Sequence, residues 1–313
     1  MSRKVIIDCD PGVEDAVAIA LALFESRLDV VALTAVAGEV TADQASRNIQ
    51  VIIEQLDPPR FPRVGSAQAF ENAPSTDARR TLGEDGLAGL SRDVSLLVHQ
   101  HSSEKILSDE IRNEPELATV ICLGPLTNIA RAFKRDPGLA ATVGRIIMLG
   151  GAVSGIGNVT PAAEFNMYYD PESARQIFRS ATTKTLIPLD VTRPVTFGMD
   201  LINELPDEHT RTGGFMRKLL THSFRTYRMV YGQESICLHA AVAVMAAIHP
   251  ELFETRELSG DVETHGELTT GVTVFDRRPE HHGPTASNME VALEIDVAAV
   301  RDAIVRGLAA IGR

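Results

Sequence analysis

Tryptophan is absent from the 313 residues, and only three cysteines, Cys9, Cys122 and Cys237, are present. An odd number of cysteines with no Cys-x-x-Cys spacing argues against a disulfide framework and a zinc knuckle, and it suits a reducing compartment. Long apolar runs are missing as well. No stretch approaches the roughly 20 residues needed to cross a bilayer. The opening MSRK followed by VIIDCD lacks the apolar core and cleavage site of a secretion signal. A cytoplasmic protein is the expectation. Positive charge is in deficit: 30 Lys and Arg stand against 42 Asp and Glu, a net −12. Nucleic acid and anionic membranes both need a cationic face, so neither is expected as a partner. The balance suits a small neutral substrate or a cation.

What the chain does have is alternation. Short runs rich in Val and Ile, at residues 4–9, 29–37, 118–123, 145–149 and 184–189, read as buried strands. Segments with apolar residues spaced at three and four read as helices at residues 14–26, 42–55, 94–112, 128–134 and 171–179. This order predicts one α/β domain over residues 1–313, with an open, mainly parallel sheet covered by helices on both faces. Residues 58–89 loosen into Pro, Gly and small polar residues and read as an irregular rim. Helices are expected over 210–230 and, almost wholly apolar, over 237–248. Residues 271–275 and 289–296 read as strands added antiparallel, and 297–310 as a closing helix.

In such sheets ligands bind where the strands end. The first strand ends in Asp8, Asp10, Glu14 and Asp15, four carboxylates within eight residues. Like charges crowded this closely raise one another's pKa unless a cation neutralises them, and a hard divalent ion such as Ca²⁺ takes carboxylate and carbonyl oxygens with tolerant geometry. A plainer reading is open too: Asp10 caps the following helix while Glu14 and Asp15 complement its dipole. A phosphatase-like Asp-x-Asp strand is disfavoured by Pro11 and the immediate helix start.

The run IIDCDPGVEDAVAIALAL resembles the signature of the inosine/uridine-type nucleoside hydrolases. The resemblance continues in order through LGPLTNIARAF (residues 123–133), GGAVSGIGNVTPAAEFNMYYDPESA (150–174), PLDVT (188–192), a His-containing apolar helix before HPELF, and VETHGELTTGVTVFD (262–276). It implies hydrolysis of the N-glycosidic bond of a ribonucleoside or related riboside to ribose and free base, using a water held by Ca²⁺, in a homodimer or homotetramer. Asp10, Asp15 and the main-chain carbonyl of Thr127 match metal ligands, and Asp10 also matches the general base. Glu14, Asn158, Glu164 and Asn166 match ribose contacts, with Phe165 between the last two. His239 matches the acid that protonates the departing base.

Five positions depart from the family pattern. His-Asp-Pro reads His239-Ala240-Ala241, which removes an aspartate that ligates the metal. Glu14 replaces aspartate, Glu39 replaces asparagine, Leu82 replaces histidine and Cys9 replaces threonine. Two accounts follow. Either Glu39, or the longer Glu14, restores the carboxylate lost at Ala240 and the site keeps Ca²⁺, or metal affinity is weakened and the fold binds a riboside or diol without rapid turnover. Tyr227 and Tyr231 lie where variable loops of the family close over the base, as stacking groups or as ordinary packing.

Overall fold

The structure is a computed structural model and describes residues 2–71, 74, 83–91, 101–278 and 287–312. Strand β1 (Arg3–Cys9) runs into α1 (Val13–Phe24), followed by β2 (Leu28–Ala35), α2 (Ala42–Leu56), β3 (Arg63–Ser66) and β4 (His101–Ser102). Next come α3 (Ser103–Asn113), β5 (Thr119–Cys122), α4 (Thr127–Arg135), α5 (Leu139–Thr142) and β6 (Arg145–Leu149). The chain continues through α6 (Phe165–Tyr169), α7 (Pro171–Phe178), β7 (Lys184–Ile187), α8 (Leu189–Thr192) and β8 (Thr196–Phe197). It closes with α9 (Arg211–Thr226), β9 (Ile236–Cys237), α10 (His239–Ile248), β10 (Phe253–Val262), β11 (Thr273–Asp276), β12 (Met289–Ile295) and α11 (Val297–Ala310).

Ten strands form one sheet in the order β11-β10-β12-β7-β6-β5-β1-β2-β3-β4. From β12 to β4 every neighbouring pair is parallel, while β10 runs antiparallel to both β11 and β12. Alternate residues feed two cores. Val5, Ile7 and Cys9 face a layer of α1, α2, α9, α10 and α11, whereas Ile6, Val120 and Ile146 face α3, α4 and α7. Strands buried on both faces must be apolar throughout, which is why the central ones read as continuous hydrophobic runs. Helix α10 is buried from Ala240 to Ile248, and its small side chains let it lie against α1. The closing helix α11 also approaches α1 closely. A Cβ at Gly307 would lie 2.6 Å from Cδ2 of Leu21, so a larger residue there would have to move the end of that side chain.

The expected α/β sheet with helices on both faces is the observed one. Three local expectations change. The antiparallel strand is β10, whereas the final strand β12 is parallel to β7. β10 escaped the sequence reading because its outer half, FETRE, exposes Glu254, Thr255, Arg256 and Glu257 and so reads as polar. Second, His101–Ser102, expected inside a helix, pairs with Gly65–Ser66 of β3 at the sheet edge, within the rim expected to be irregular. Third, Cys237 pairs with Thr196 in a two-stranded ribbon, and the helix expected from residue 237 starts at His239. Leu82, residues 72–73 and 75–81 of the rim, and residues 92–100, which span most of the first half of the expected 94–112 helix, lie outside the described residues. Among those described, no helix is long and apolar enough to cross a membrane.

Candidate active site

The carboxyl ends of β1, β2, β5, β6 and β7 share one edge of the sheet, and the polar loops converge there. Asp10 follows β1 and is 4% exposed. Its Oδ2 accepts the amide of Glu39, 2.8 Å away in the loop after β2. Two glycines make room for it: a Cβ at Gly38 would sit 2.1 Å from Oδ2, and one at Gly124 2.6 Å from Oδ1. Asp15 lies in the first turn of α1, and its Oδ2 accepts the Gly12 amide at 3.1 Å. Glu39 stands at the open mouth of this pocket. Asp8 belongs elsewhere. It is fully buried, and its Oδ1 accepts from Thr34 (2.6 Å) and Asn128 (2.9 Å), tying β1, β2 and α4 together.

The electrostatics are those of an anionic pocket lacking a counter-charge. Burial, then Asp15, then Glu39 push the Asp10 carboxyl well above the carboxylate range. Burial raises Asp15 to about 6, although the Gly12 amide opposes it. Surrounding protein, then Asp15 and Glu164, raise Glu39 to about 7 even though it is accessible from the mouth. Glu14 reaches about 8 through burial, then Glu39 and Asp15. Among the described residues, no Lys or Arg forms an ion pair with any of these four carboxylates.

Glu14 links the pocket to His239. Its Oε2 accepts the His239 amide at 3.0 Å, capping the start of α10, and its Oε1 lies 3.4 Å from the Tyr227 hydroxyl. The His239 ring is held from the other side by Thr192, with Nδ1 and Oγ1 2.8 Å apart. Burial, with a smaller contribution from Arg193, lowers its pKa to about 4, so the imidazole is neutral at pH 7.

The sequence profile of the inosine-uridine preferring nucleoside hydrolases matches residues 5–302. The chain belongs to this family. It is 34% identical over 300 residues to the non-specific ribonucleoside hydrolase RihC of Salmonella enteritidis, covering 94% of each chain. It superposes on a plant nucleoside hydrolase with a TM-score of 0.89 at 29% identity, covering 99% of both chains. A purine-preferring ribonucleoside hydrolase from Gardnerella vaginalis gives the same TM-score at 25% identity and the same coverage.

In this nucleoside hydrolase the other expected site residues lie on the segment after β6 and at the start of α4. Glu164 caps α6: its Oε2 accepts from Met167 (3.2 Å) and Gly151 (3.0 Å), and burial raises it to about 7 against those amides. Asn166 donates to the carbonyls of Leu123 (2.8 Å) and Leu149 (3.1 Å), bridging the ends of β5 and β6. Phe165 packs on Tyr169, with ring centroids 5.7 Å apart. Asn158 is exposed, and its Oδ1 accepts the Phe165 amide at 2.8 Å. Thr127 opens α4 and donates its hydroxyl to Asp170 at 2.7 Å. Ala240 is buried and has no oxygen to offer on its side chain. Glu14, expected at the ribose, directs its oxygens at His239 and Tyr227. Asp10, Glu14, Asp15, Glu39, Glu164 and His239 are thus neighbours, while Asn158 is exposed and tied to the segment of Glu164 and Asn166 through the Phe165 amide. Sequence reasoning assigned no task to Tyr169, Asp170 or Arg193. Tyr169 and Asp170 lie inside the 150–174 run and Arg193 directly follows PLDVT, but nothing in the sequence ties any of them to a partner.

Proposed function

We propose that this nucleoside hydrolase cleaves the N-glycosidic bond of a ribonucleoside or related riboside, giving ribose and free base, with Ca²⁺ held at Asp10, Asp15, Glu39 and the Thr127 carbonyl. One observation carries the reading: the buried carboxylates Asp10 and Asp15 stand beside Glu14, which holds the backbone amide of His239, so that anionic groups and an imidazole meet at one end of the sheet. The donor set fits a hard ion. Asp10, Asp15 and Glu39 lie near enough to raise one another's pKa and offer the hard oxygen donors that Ca²⁺ takes beside carbonyls and waters, although no three Asp, Glu, His or Cys side chains among the described residues form a ready-made metal cage. Gly38 and Gly124 keep the space around Asp10 clear of side chains. Glu39 adds one carboxylate where Ala240 loses one, so the charge of the pocket is conserved, and with Glu14 engaged at α10, Glu39 is the better replacement. When bound, Ca²⁺ supplies a Lewis-acidic anchor for ribose hydroxyls and water.

The chain's own residues account for the remaining chemistry. Breaking the bond builds positive charge on the ribose, and anionic walls stabilise that state more than the neutral substrate. Asp10, its Oδ2 fixed by the Glu39 amide, takes a proton from the attacking water. Glu164, Asn166 and Asn158 hold ribose hydroxyls, beside Phe165. A base leaves poorly as an anion, and neutral His239 offers it a hydrogen bond from Nε2–H when the Thr192 hydroxyl donates to Nδ1. Assembly as a homodimer or homotetramer completes the proposal.

The test is ribose release from inosine and uridine by purified protein before chelation, after chelation and after Ca²⁺ is restored. Release that stops with chelator and returns with Ca²⁺ is expected. No turnover of either nucleoside with Ca²⁺ present overturns the proposal.

A further inference from the structure

The PLDVT motif forms α8, a single turn after β7 that touches both sides of the site. Thr192, fully buried, bonds to Nδ1 of His239 at 2.8 Å. Asp190, two residues earlier, accepts the successive amides of Val153 (2.7 Å, Oδ2) and Ser154 (2.9 Å, Oδ1). Arg193, the next residue, donates to the carbonyls of Ile156 (3.0 Å) and Gly157. Four hydrogen bonds therefore fix the loop that ends at Asn158. The far side of the turn is tied down as well: β8 pairs Thr196 with Cys237 and Phe197 with Ile236, immediately before His239.

Resting on the hydrolase reading above, we propose that Asp190, Thr192 and Arg193 are positioning residues that hold the proton donor and the ribose-side loop in one register. Their tasks are separable. A threonine buried away from water leaves Nδ1 one hydroxyl partner, which fixes the ring plane and, by donating, leaves the ring proton on Nε2. Without it the ring is free to rotate or to shift its proton to Nδ1, and the donor facing the base is lost. Asp190 and Arg193 make no hydrogen bond to the ring, although the Arg193 charge has a small effect on it, and their hydrogen bonds act on the backbone of residues 153–157 and so on where Asn158 stands. Burial opposes the Asp190 charge, but the Val153 and Ser154 amides outweigh it and hold the carboxyl below the usual carboxylate range, so the clamp stays charged at neutral pH.

The leaving group discriminates between the two tasks. Inosine and uridine lose a base that needs a proton or hydrogen bond, whereas 4-nitrophenyl riboside loses a stable anion. Thr192→Val and Thr192→Ala are expected to lower kcat about 10²-fold on inosine and uridine, in the range of general acid catalysis, and far less on 4-nitrophenyl riboside. Thr192→Ser, which keeps the hydroxyl, is expected to restore most of the nucleoside rate. Arg193→Met is expected to raise KM on all three substrates with kcat little changed. An equal loss on all three substrates in the Thr192 variants, or an Arg193→Met defect confined to kcat on nucleosides, overturns the positioning roles. Wild-type protein that turns over none of the three instead removes the hydrolase reading itself.

Discussion

Asp10 owes its position to two residues without side chains. The atom that an alanine Cβ at residue 38 would meet, 2.1 Å away, is the end of the Asp10 carboxylate, so Gly38→Ala displaces the functional group before it disturbs the fold. A shift near 1 Å at a reacting group costs about 10²-fold. Ribose release by Gly38→Ala is therefore expected to fall by about that factor with its unfolding midpoint nearly kept; a wild-type rate would show that Asp10 is not the base. His239 gives a pH signature. Its pKa is about 4, against 6.5 for a free histidine. As pH falls below 6.5 the unfolded chain takes up a proton that the folded chain refuses, so the stability its neutral form contributes is present above 6.5 and lost as pH drops toward 4. Urea unfolding of wild type and His239→Gln should show the wild type losing about 2 kcal/mol relative to the variant between pH 7 and 4.5; parallel curves would mean the ring is solvated. Asp10, Asp15 and His239 could be found in the sequence because each sits in a motif that also predicts its element. The partners of Glu14 could not, since the His239 amide and the Tyr227 hydroxyl are more than 200 positions away and meet it only after folding.

Among the elements, the short helices beside the site are held by side chains with two tasks. Asp170 caps α7, its Oδ1 accepting the Ser173 amide at 3.1 Å, while Oδ2 takes the Thr127 hydroxyl at the start of α4. Asp170→Ala removes a cap and strands a buried hydroxyl, a loss of about 2 kcal/mol. Thr127 is also a proposed carbonyl ligand, so Ca²⁺ affinity is expected to fall with stability. Calorimetric titration of the variant checks this, and unchanged affinity would detach Thr127 from the ion. Glu39→Gln separates charge from shape: Ca²⁺ affinity is expected to drop at least tenfold with the fold intact, and an unchanged titration would assign the replacement for the lost aspartate at Ala240 elsewhere. Elements were legible where a buried apolar run dominates, as in residues 5–7 of β1, 120–122 of β5 and 240–248 of α10. They were not legible at the edges. β4 is two residues long and β10 has a solvated half, so neither leaves a hydrophobic period to read.

Across the whole molecule the net charge of −12 divides into two kinds. Arg63 with Asp109, Arg112 with Asp136, and Arg179 with Asp261 are surface pairs in which water screens the charge and little stability is at stake. The carboxylates at the sheet's edge have no cationic partner among the described residues, and of them only Glu39 is exposed to water. Asp15 at about 6, Glu39 at about 7 and Glu14 at about 8 all lie above their unfolded values near 4. Between those limits the folded, metal-free chain binds more protons than the unfolded one. The stability they contribute is complete below about pH 4 and is lost as pH climbs through 6 to 8. A divalent cation replaces the protons and reverses the trend, so Ca²⁺ stabilises the fold more at high pH than at low. At a thousand times its dissociation constant the ion is worth about 4 kcal/mol. The gap between the unfolding temperatures of Ca²⁺-loaded and chelated protein is accordingly expected to widen from pH 5 to pH 8. A gap that is absent at both pH values would mean that the folded chain neutralises this cluster with protons alone, and that Glu39 does not make good the aspartate missing at Ala240.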